Sequence, residues 1–426
     1  MTGETWAARS RGEDGSDVGR QMMMKKGKNY RLAILQTHPI QYHAPFYRGL
    51  SQAERLDVTV FYGSRRYGCE PAYDEGFGVN IQWDVPLLSG YRAVFLRNIS
   101  PCPSVNKRWG LLPLGLYRKL RAGHFDAVLL NGYSLLYFWL AMICAKALGL
   151  PVMLRAETTT LRRSQANASK VRHAAKSLLC RFFLANVDAF LPIGSLSKEF
   201  YRGYGVPEEK LFLAPYCVDN RFFEQQMQAS WGARKRIRAE VGTVDEVVGI
   251  CVAKLIPRKR PMDLLAAYAR MRNRERLSLI FVGDGELRSE IERFVRLRGL
   301  SKVRVVGFKN QTELSQYYMA ADFAVLPSAI ESWGLAINEA LVHSLPVVAT
   351  DMVSGAYDLI EEGKTGWRYP AGNVEELARI LDDIVATPEK CREMGRVARK
   401  LVANYSIPVC VEAVERALEF VARRRT

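Results

Sequence analysis

The chain has 426 residues, 48% hydrophobic and 25% charged, which is enough for two or three domains and excludes a wholly disordered, collagen-like or low-complexity protein. Sixty-one Lys and Arg stand against 44 Asp and Glu, a net charge of +17 that predicts an anionic partner: nucleic acid, a membrane surface or a phosphate-bearing substrate. The excess is local, because residues 101–181 hold 13 basic and two acidic residues, a net of +11, while the chain after residue 218 holds 32 and 28.

In chain order, residues 1–29 are rich in Gly, Ser, Arg and Asp, lack the apolar core of a signal peptide and read as a disordered lead. Short Val/Ile/Leu-rich runs then alternate with amphipathic segments, and residues 31–36, 56–62, 126–130, 152–155, 189–193 and 211–214 read as strands. The uncharged stretch 127–145 is nominally long enough to span a bilayer. Asn131, Gly132, Tyr133 and Ser134 divide it, so that a buried strand is followed by a buried helix over 135–148. A charged, loop-prone stretch over 225–246 precedes a second series of strands at 247–252, 277–282, 303–306, 323–326 and 347–349. Helices over 374–386, 388–404 and 409–425 follow.

This alternation predicts an α/β protein of two Rossmann-like, doubly wound parallel sheets facing each other across a cleft. The expected division is an N-terminal domain over 30–218, a C-terminal domain over 219–405 and a C-terminal helix over 406–426, for which a return to the first domain is open. Eight cysteines form no C-x-x-C pair and no metal spacing with the five histidines, which predicts reducing surroundings and no bound metal.

Two loops of the second half carry chemistry. PSAIESWGLAINEAL over 327–341 follows a strand, and Gly334 opens a helix whose backbone N–H groups suit a phosphate or a sugar hydroxyl. Glu331 precedes that helix and Glu339 lies about a turn inside it, so two carboxylates able to accept vicinal hydroxyls share one cleft. VAKLIPRKRP over 252–261 sets Lys254 and Lys259 in another strand-to-helix loop, a spacing suited to a diphosphate.

Together these segments resemble the retaining GT-B glycosyltransferases of family 4, the glycosyl transferases group 1. Glu331 and Glu339 match the E-x7-E motif of that family, and Lys254 and Lys259 its basic pair. FVGDGE at 281–286, VGF at 306–308, YYMAAD at 317–322, SLPVVAT at 344–350, GKTG at 363–366 and APYCVDNRF at 214–222 stand in the order of the family. Lys254 and Ala253 depart from the commoner Arg and Gly, which exchanges a bidentate fork for a point charge. The resemblance implies that Lys254 and Lys259 hold a donor diphosphate and Glu339 the ribose, while Glu331, Gly334 and Leu335 hold the donor sugar. Lys259 and Glu331 are then the catalytic residues, and no cofactor or metal is needed.

The first half has QTHPIQYHAPF at 36–46 in place of the usual Gly-rich loop, and this HPIQY segment resembles a subgroup of the family, as does QWDVPLLSGY at 82–91. Loop position makes His38, Tyr42 and His43 acceptor-side candidates. Asn131 and Tyr133, which stand where relatives place a His, join them, as do Arg155 and Glu157, for which mutual pairing is the alternative.

KRWGLLPLGLYRKLR at 107–121 and the six cations of 161–181 suit an anionic membrane surface. The expected protein is therefore cytoplasmic and peripheral on the inner face of the membrane. Its expected function is transfer of a sugar from a nucleotide-diphosphate sugar to a glycan or lipid-linked acceptor in cell-surface polysaccharide or glycoconjugate synthesis. The alternatives are a GT-B epimerase or phosphorylase, or a basic membrane- or nucleic-acid-binding protein. Nucleic acid is disfavoured as a partner, since no helix-turn-helix, RRM or OB signature accompanies the charge.

Overall fold

The computed structural model describes residues 29–65, 71–161, 170–243 and 246–424. All but one residue of the expected disordered lead, and Arg162 and Arg163 of the basic segment, lie outside the described residues.

The first half contains β1 (Tyr30–Gln36), β2 (Leu56–Tyr62), β3 (Ala72–Asp74), β4 (Val79–Ile81), β5 (Arg92–Phe95), β6 (Arg97–Asn98), β7 (Pro113–Leu114), β8 (Ala127–Leu130), β9 (Val152–Leu154) and β10 (Ala189–Phe190). Six of them form one parallel sheet in the order β10-β9-β8-β1-β2-β5. The second half contains β11 (Val247–Val252), β12 (Leu277–Val282), β13 (Val303–Val305), β14 (Phe323–Leu326), β15 (Val347–Thr350) and β16 (Gly366–Tyr369), a parallel sheet in the order β13-β12-β11-β14-β15-β16. Both orders are doubly wound. The first strand of each half lies at the centre and the chain reverses direction of growth there, at β1/β8 and at β11/β14, which leaves a crevice at the carboxyl ends of those strands. The central strands are apolar on both faces because helices cover both: Leu32, Ala33, Ile34 and Leu35 are all buried, as are Leu277 through Val282.

The structure departs from the sequence reading at residues 211–214, at two edge strands and over 225–246. Residues 211–214 make only an isolated bridge, Leu211 to Phe190. Arg92–Phe95 and Gly366–Tyr369 are edge strands, half-buried and interrupted by Arg92 and Arg368, so they lack the apolar run that marks the central ones. Residues 225–246 are largely helical, as Asn220–Ala229 and Ala233–Glu240. Their charges mask the few inward positions, Phe223, Ala233 and Ile237, and Arg238 itself turns inward to Asp322 at 2.6 Å. The stretch 127–145 is a strand followed by a 12-residue helix, Leu136–Ala147. Among the described residues no helix is long and apolar enough to cross a membrane.

The chain passes between the halves twice. Asp219 caps the first helix beyond the first crossing by accepting from Phe222 N at 3.1 Å. After the second, the helix Ile407–Arg423 lies on the N-terminal sheet, with Cys410, Ala413, Val414, Ala417, Leu418 and Val421 buried in one cluster with Phe46 and Leu50. Arg55 to Glu419 at 2.5 Å and Phe212 against Phe420 at 5.4 Å hold its flank.

Candidate active site

A cavity of about 750 Å³ lies between the carboxyl ends of the two sheets. Its C-terminal wall includes Lys254, Arg258, Lys259, Gly283, Glu331, Gly334, Leu335 and Glu339, and its N-terminal wall His38, Tyr42, Asp74, Phe77 and Glu157.

The loop after β14 is fixed by its own backbone. Glu331 N donates to Met352 O at 2.9 Å and Ser354 N donates to Glu331 O at 3.2 Å, which pins the loop before the helix Leu335–Val342. Gly334 opens that helix at φ +95°, and a Cβ there would lie 2.8 Å from Val353 and 3.0 Å from Leu326, so only glycine fits. Gly334, Leu335 and Ala336 at the start of that helix line the cavity, where a first turn's N–H groups lack intrahelical partners.

Glu331 pairs with Lys259, and Arg258 stands 3.8 Å from its other oxygen. Glu339 is buried, accepting from Tyr42 Oη at 2.9 Å and Tyr318 Oη at 2.8 Å. Burial pushes its carboxyl up to about 7, against the lowering effect of the two phenols. Lys254 reaches across the cleft to Asp74 at 2.6 Å and lies 4.7 Å above the Phe77 ring. The structure thus brings all six donor-side candidates to one wall, with each of the four charged ones already partnered.

The acceptor-side candidates divide. His38 and Glu157 line the cavity. His38 Nδ1 is 2.9 Å from Thr37 Oγ1, and burial lowers its imidazole to about 4. Tyr42 also lines it, but its hydroxyl is given to Glu339 and so serves the opposite wall.

His43 stands behind the wall. Its Nε2 is 2.9 Å from Tyr216 Oη, which in turn donates to Glu157 Oε1 at 2.8 Å. Because the phenol spends its single proton on Glu157, His43 carries its hydrogen on Nε2, which leaves Nδ1 as a bare buried acceptor. Burial, with the nearby charges of Arg155 and His38, holds that imidazole down to about 3, so the ring is neutral.

Arg155 and Glu157 take partners other than each other. The buried Arg155 guanidinium lies over Phe46 at 5.0 Å and Tyr216 at 4.9 Å, while Glu157 takes the Tyr216 hydroxyl. Asn131 and Tyr133 are also behind the wall. Asn131 Nδ2 donates to Tyr47 Oη at 2.7 Å, and Tyr133 packs on Phe183 at 5.8 Å while its carbonyl accepts from Trp139 Nε1 at 2.9 Å. Both follow the carboxyl end of β8 at the switch point, but their side chains are engaged with Tyr47 and Phe183 and do not line the cavity.

Several residues of the site were not anticipated, among them Arg258 beside Glu331. Tyr318 and Tyr216 sit inside recognisable segments, YYMAAD and APYCVDNRF, but only the folded chain shows that their hydroxyls reach Glu339 and Glu157. Asp74 carries no local signal, since its partner Lys254 is 180 positions away. The assembled wall can neutralise an anionic leaving group through Lys259, Arg258 and the helix N-terminus, and can grip hydroxyls through its carboxylates.

Residues 233–401 match the family model of glycosyl transferases group 1. The chain is 28% identical over 212 residues to an alpha-D-kanosaminyltransferase of Streptomyces kanamyceticus, covering 49% of this chain and 54% of that protein. It is 29% identical over 174 residues to an alpha-monoglucosyldiacylglycerol synthase of Acholeplasma laidlawii, covering 40% and 43%. The chain thus spans about half the length of the relatives it matches. Among solved structures, Anabaena HepE in complex with UDP aligns at a TM-score of 0.69 over 92% of this chain and 99% of that one, at 16% identity. The architecture is the GT-B fold, two doubly wound sheets across a cleft, and its C-terminal half carries the match to glycosyl transferases group 1.

Proposed function

We propose that the protein is a retaining glycosyltransferase that moves a sugar from a nucleotide-diphosphate sugar to a glycan or lipid-linked acceptor, without a metal, in cell-surface polysaccharide or glycoconjugate synthesis. The observation that carries this reading is the convergence of Lys259, Arg258, Glu331, Glu339 and the Gly334 helix N-terminus on one cavity at two sheet switch points. Lys254, Lys259 and the helix N-terminus take the diphosphate, Glu339 the ribose hydroxyls, and Glu331 with the backbone at Gly334 and Leu335 the donor sugar. That HepE, which shares this fold, is in complex with UDP supports a nucleotide as the ligand of this cleft.

In the transfer, the acceptor oxygen forms its bond to the anomeric carbon as the bond to the diphosphate oxygen breaks, and that oxygen takes the acceptor proton. Lys259 and the helix dipole stabilise the charge gathering on the diphosphate, and Glu331 stabilises the oxocarbenium-like sugar. His38 and Glu157, on the opposite wall, face the acceptor.

A lipid-linked acceptor at the inner face of the membrane is favoured by the N-terminal surface. Exposed Trp109, Leu178 and Phe182 are interleaved with exposed Lys107, Arg108, Arg118, Lys119, Arg121, Lys176 and Arg181 on adjoining elements. The name of the Acholeplasma relative, a diacylglycerol-lipid synthase, agrees with such an acceptor.

A thermal-shift screen over UDP-, GDP-, dTDP- and ADP-sugars is expected to find one donor that raises the melting temperature. With that donor, Lys259→Ala is expected to lower kcat about 100-fold or more at an unchanged fold. Wild-type turnover by the variant, or stabilisation by none of the donors, overturns the assignment.

A further inference from the structure

The segment from Asp74 to Asp84 belongs to the N-terminal half but is fastened to the other side of the cleft. Phe77 and Trp83 pack edge-on against Phe308 at 5.0 and 6.0 Å. Asn310 Nδ2 donates to Gln82 O at 2.7 Å, and Asp84 Oδ2 accepts from Thr312 N at 3.0 Å and from its hydroxyl. The segment therefore spans the rim of the cavity as a strap, and Asp74, Glu75, Phe77 and Trp83 of it line the cavity.

Asp74 Oδ1 accepts from Lys254 Nζ at 2.6 Å and from the backbone N–H groups of Gly76 and Phe77 at 2.9 and 3.0 Å. The turn is thus formed by the same oxygen that holds the lysine. A Cβ on Gly76 would lie 2.7 Å from Lys254 Cδ and 2.9 Å from Nζ, so a larger residue there would push the lysine off the strap. Burial raises the Asp74 carboxyl, but the hydrogen bond and charge of Lys254 and the two backbone donors outweigh it, so the group is ionised and below the usual carboxylate range.

The ion pair has a consequence for any dianion entering the cavity. Lys254 is neutralised by a carboxylate from the opposite domain, and a diphosphate brought to that lysine would face a like charge within contact distance. The two anions exclude each other. Resting on the function proposed above, we infer that Asp74 is a gate on the donor site: its carboxylate holds Lys254 while the site is empty and swings out when a nucleoside diphosphate group takes the lysine. The exchange removes one tie between the strap and the C-terminal half, while those of Phe77, Gln82, Trp83 and Asp84 hold the strap in place. The return of Asp74 after transfer displaces the nucleoside diphosphate product.

The test is calorimetric binding of UDP, GDP, dTDP, ADP and inorganic pyrophosphate to the full chain as wild type, Asp74→Asn, Lys254→Met and the double variant. Asparagine keeps the acceptor for Gly76 and Phe77, so the turn is retained while the charge is removed. The expected result is binding about three- to tenfold tighter in Asp74→Asn, the size of a partly buried ion pair. In the Lys254→Met background the same change is expected to give a smaller gain than in the wild-type background, because the competition for the lysine is gone and only the like-charge repulsion is relieved. Unchanged or weaker binding in Asp74→Asn, with measurable binding by the wild type, overturns the gate and makes Asp74 a residue that positions Lys254. If no diphosphate binds either protein, the donor-site reading falls, and the gate with it.

Discussion

Glu339 shows what a single buried carboxyl does to the site. Both its oxygens are filled by phenols, Tyr42 from one half and Tyr318 from the other, so it ties the two walls together. Folding raises its carboxyl from an ordinary 4.5 to about 7, chiefly through burial. The native state therefore binds the proton more tightly than the unfolded chain does. Between about pH 4.5 and 7 stability falls as pH rises, and above 7 the whole penalty is in place. The shift corresponds to at most about 3 kcal/mol. Glu339→Gln is expected to remove this slope: its melting temperature rises relative to wild type from pH 5 to pH 8 by a few degrees, while transfer is lost. Melting curves of both proteins across that range provide the check, and a difference constant with pH would contradict the assignment. Comparing the pair cancels the opposite contribution of His38, His43 and His343, the last a buried residue that ends the helix Leu335–Val342. Their imidazoles are held low by burial, so they cost stability as pH falls below about 6.5.

At the scale of elements, the central strands were legible because two-sided burial writes itself as Val/Ile/Leu runs, and the loops after β11 and β14 because their motifs are contiguous. Residues 225–246 were illegible as helices because Phe223, Ala233 and Ile237 are too few among the charges to mark a stripe. Cross-cleft partners were illegible for a different reason: Tyr42 and Glu339 are 297 positions apart, and no local rule pairs them. Glycine positions fall between these cases, since the sequence shows the residue but not the space around it. Gly283, in the loop after β12, sits at φ +145° with an added Cβ only 1.9 Å from the carbonyl oxygen of Ala253, next to Lys254. Gly363 sits at φ +70° with nothing within 4 Å. Gly363→Ala is therefore expected to cost only about 1 kcal/mol, the left-handed backbone alone. Gly283→Ala is expected to cost at least about 3 kcal/mol and to weaken nucleotide binding by moving the lysine loop. Urea unfolding of the two variants measures the contrast, and equal losses would refute it.

Across the whole molecule, the question is where a charge of +17 is put to use. The cations of the cavity wall are already matched, Lys254 by Asp74 and Lys259 by Glu331, so the surplus lies elsewhere. It gathers on the face of the N-terminal half where the helix Leu116–Gly123 packs on Leu136–Ala147 and Trp139 stacks on Phe182 at 6.2 Å. Exposed apolar side chains beside cations suit the proposed lipid surface better than a nucleic acid, because a duplex backbone rewards charge but not an exposed Phe182 or Leu178. Each cation near an anionic bilayer contributes about 1 kcal/mol. Neutralising Arg118, Lys119 and Arg121 together is thus expected to weaken binding to phosphatidylserine-containing vesicles by about 100-fold, with no effect on neutral vesicles. Phe182→Ser with Leu178→Ser is expected to weaken the same binding at high salt as well as low, because apolar insertion is not screened. Vesicle sedimentation read beside DNA retardation over a salt series decides between the partners. Loss of DNA binding in the triple variant with vesicle binding intact would move the basic face from lipid to nucleic acid.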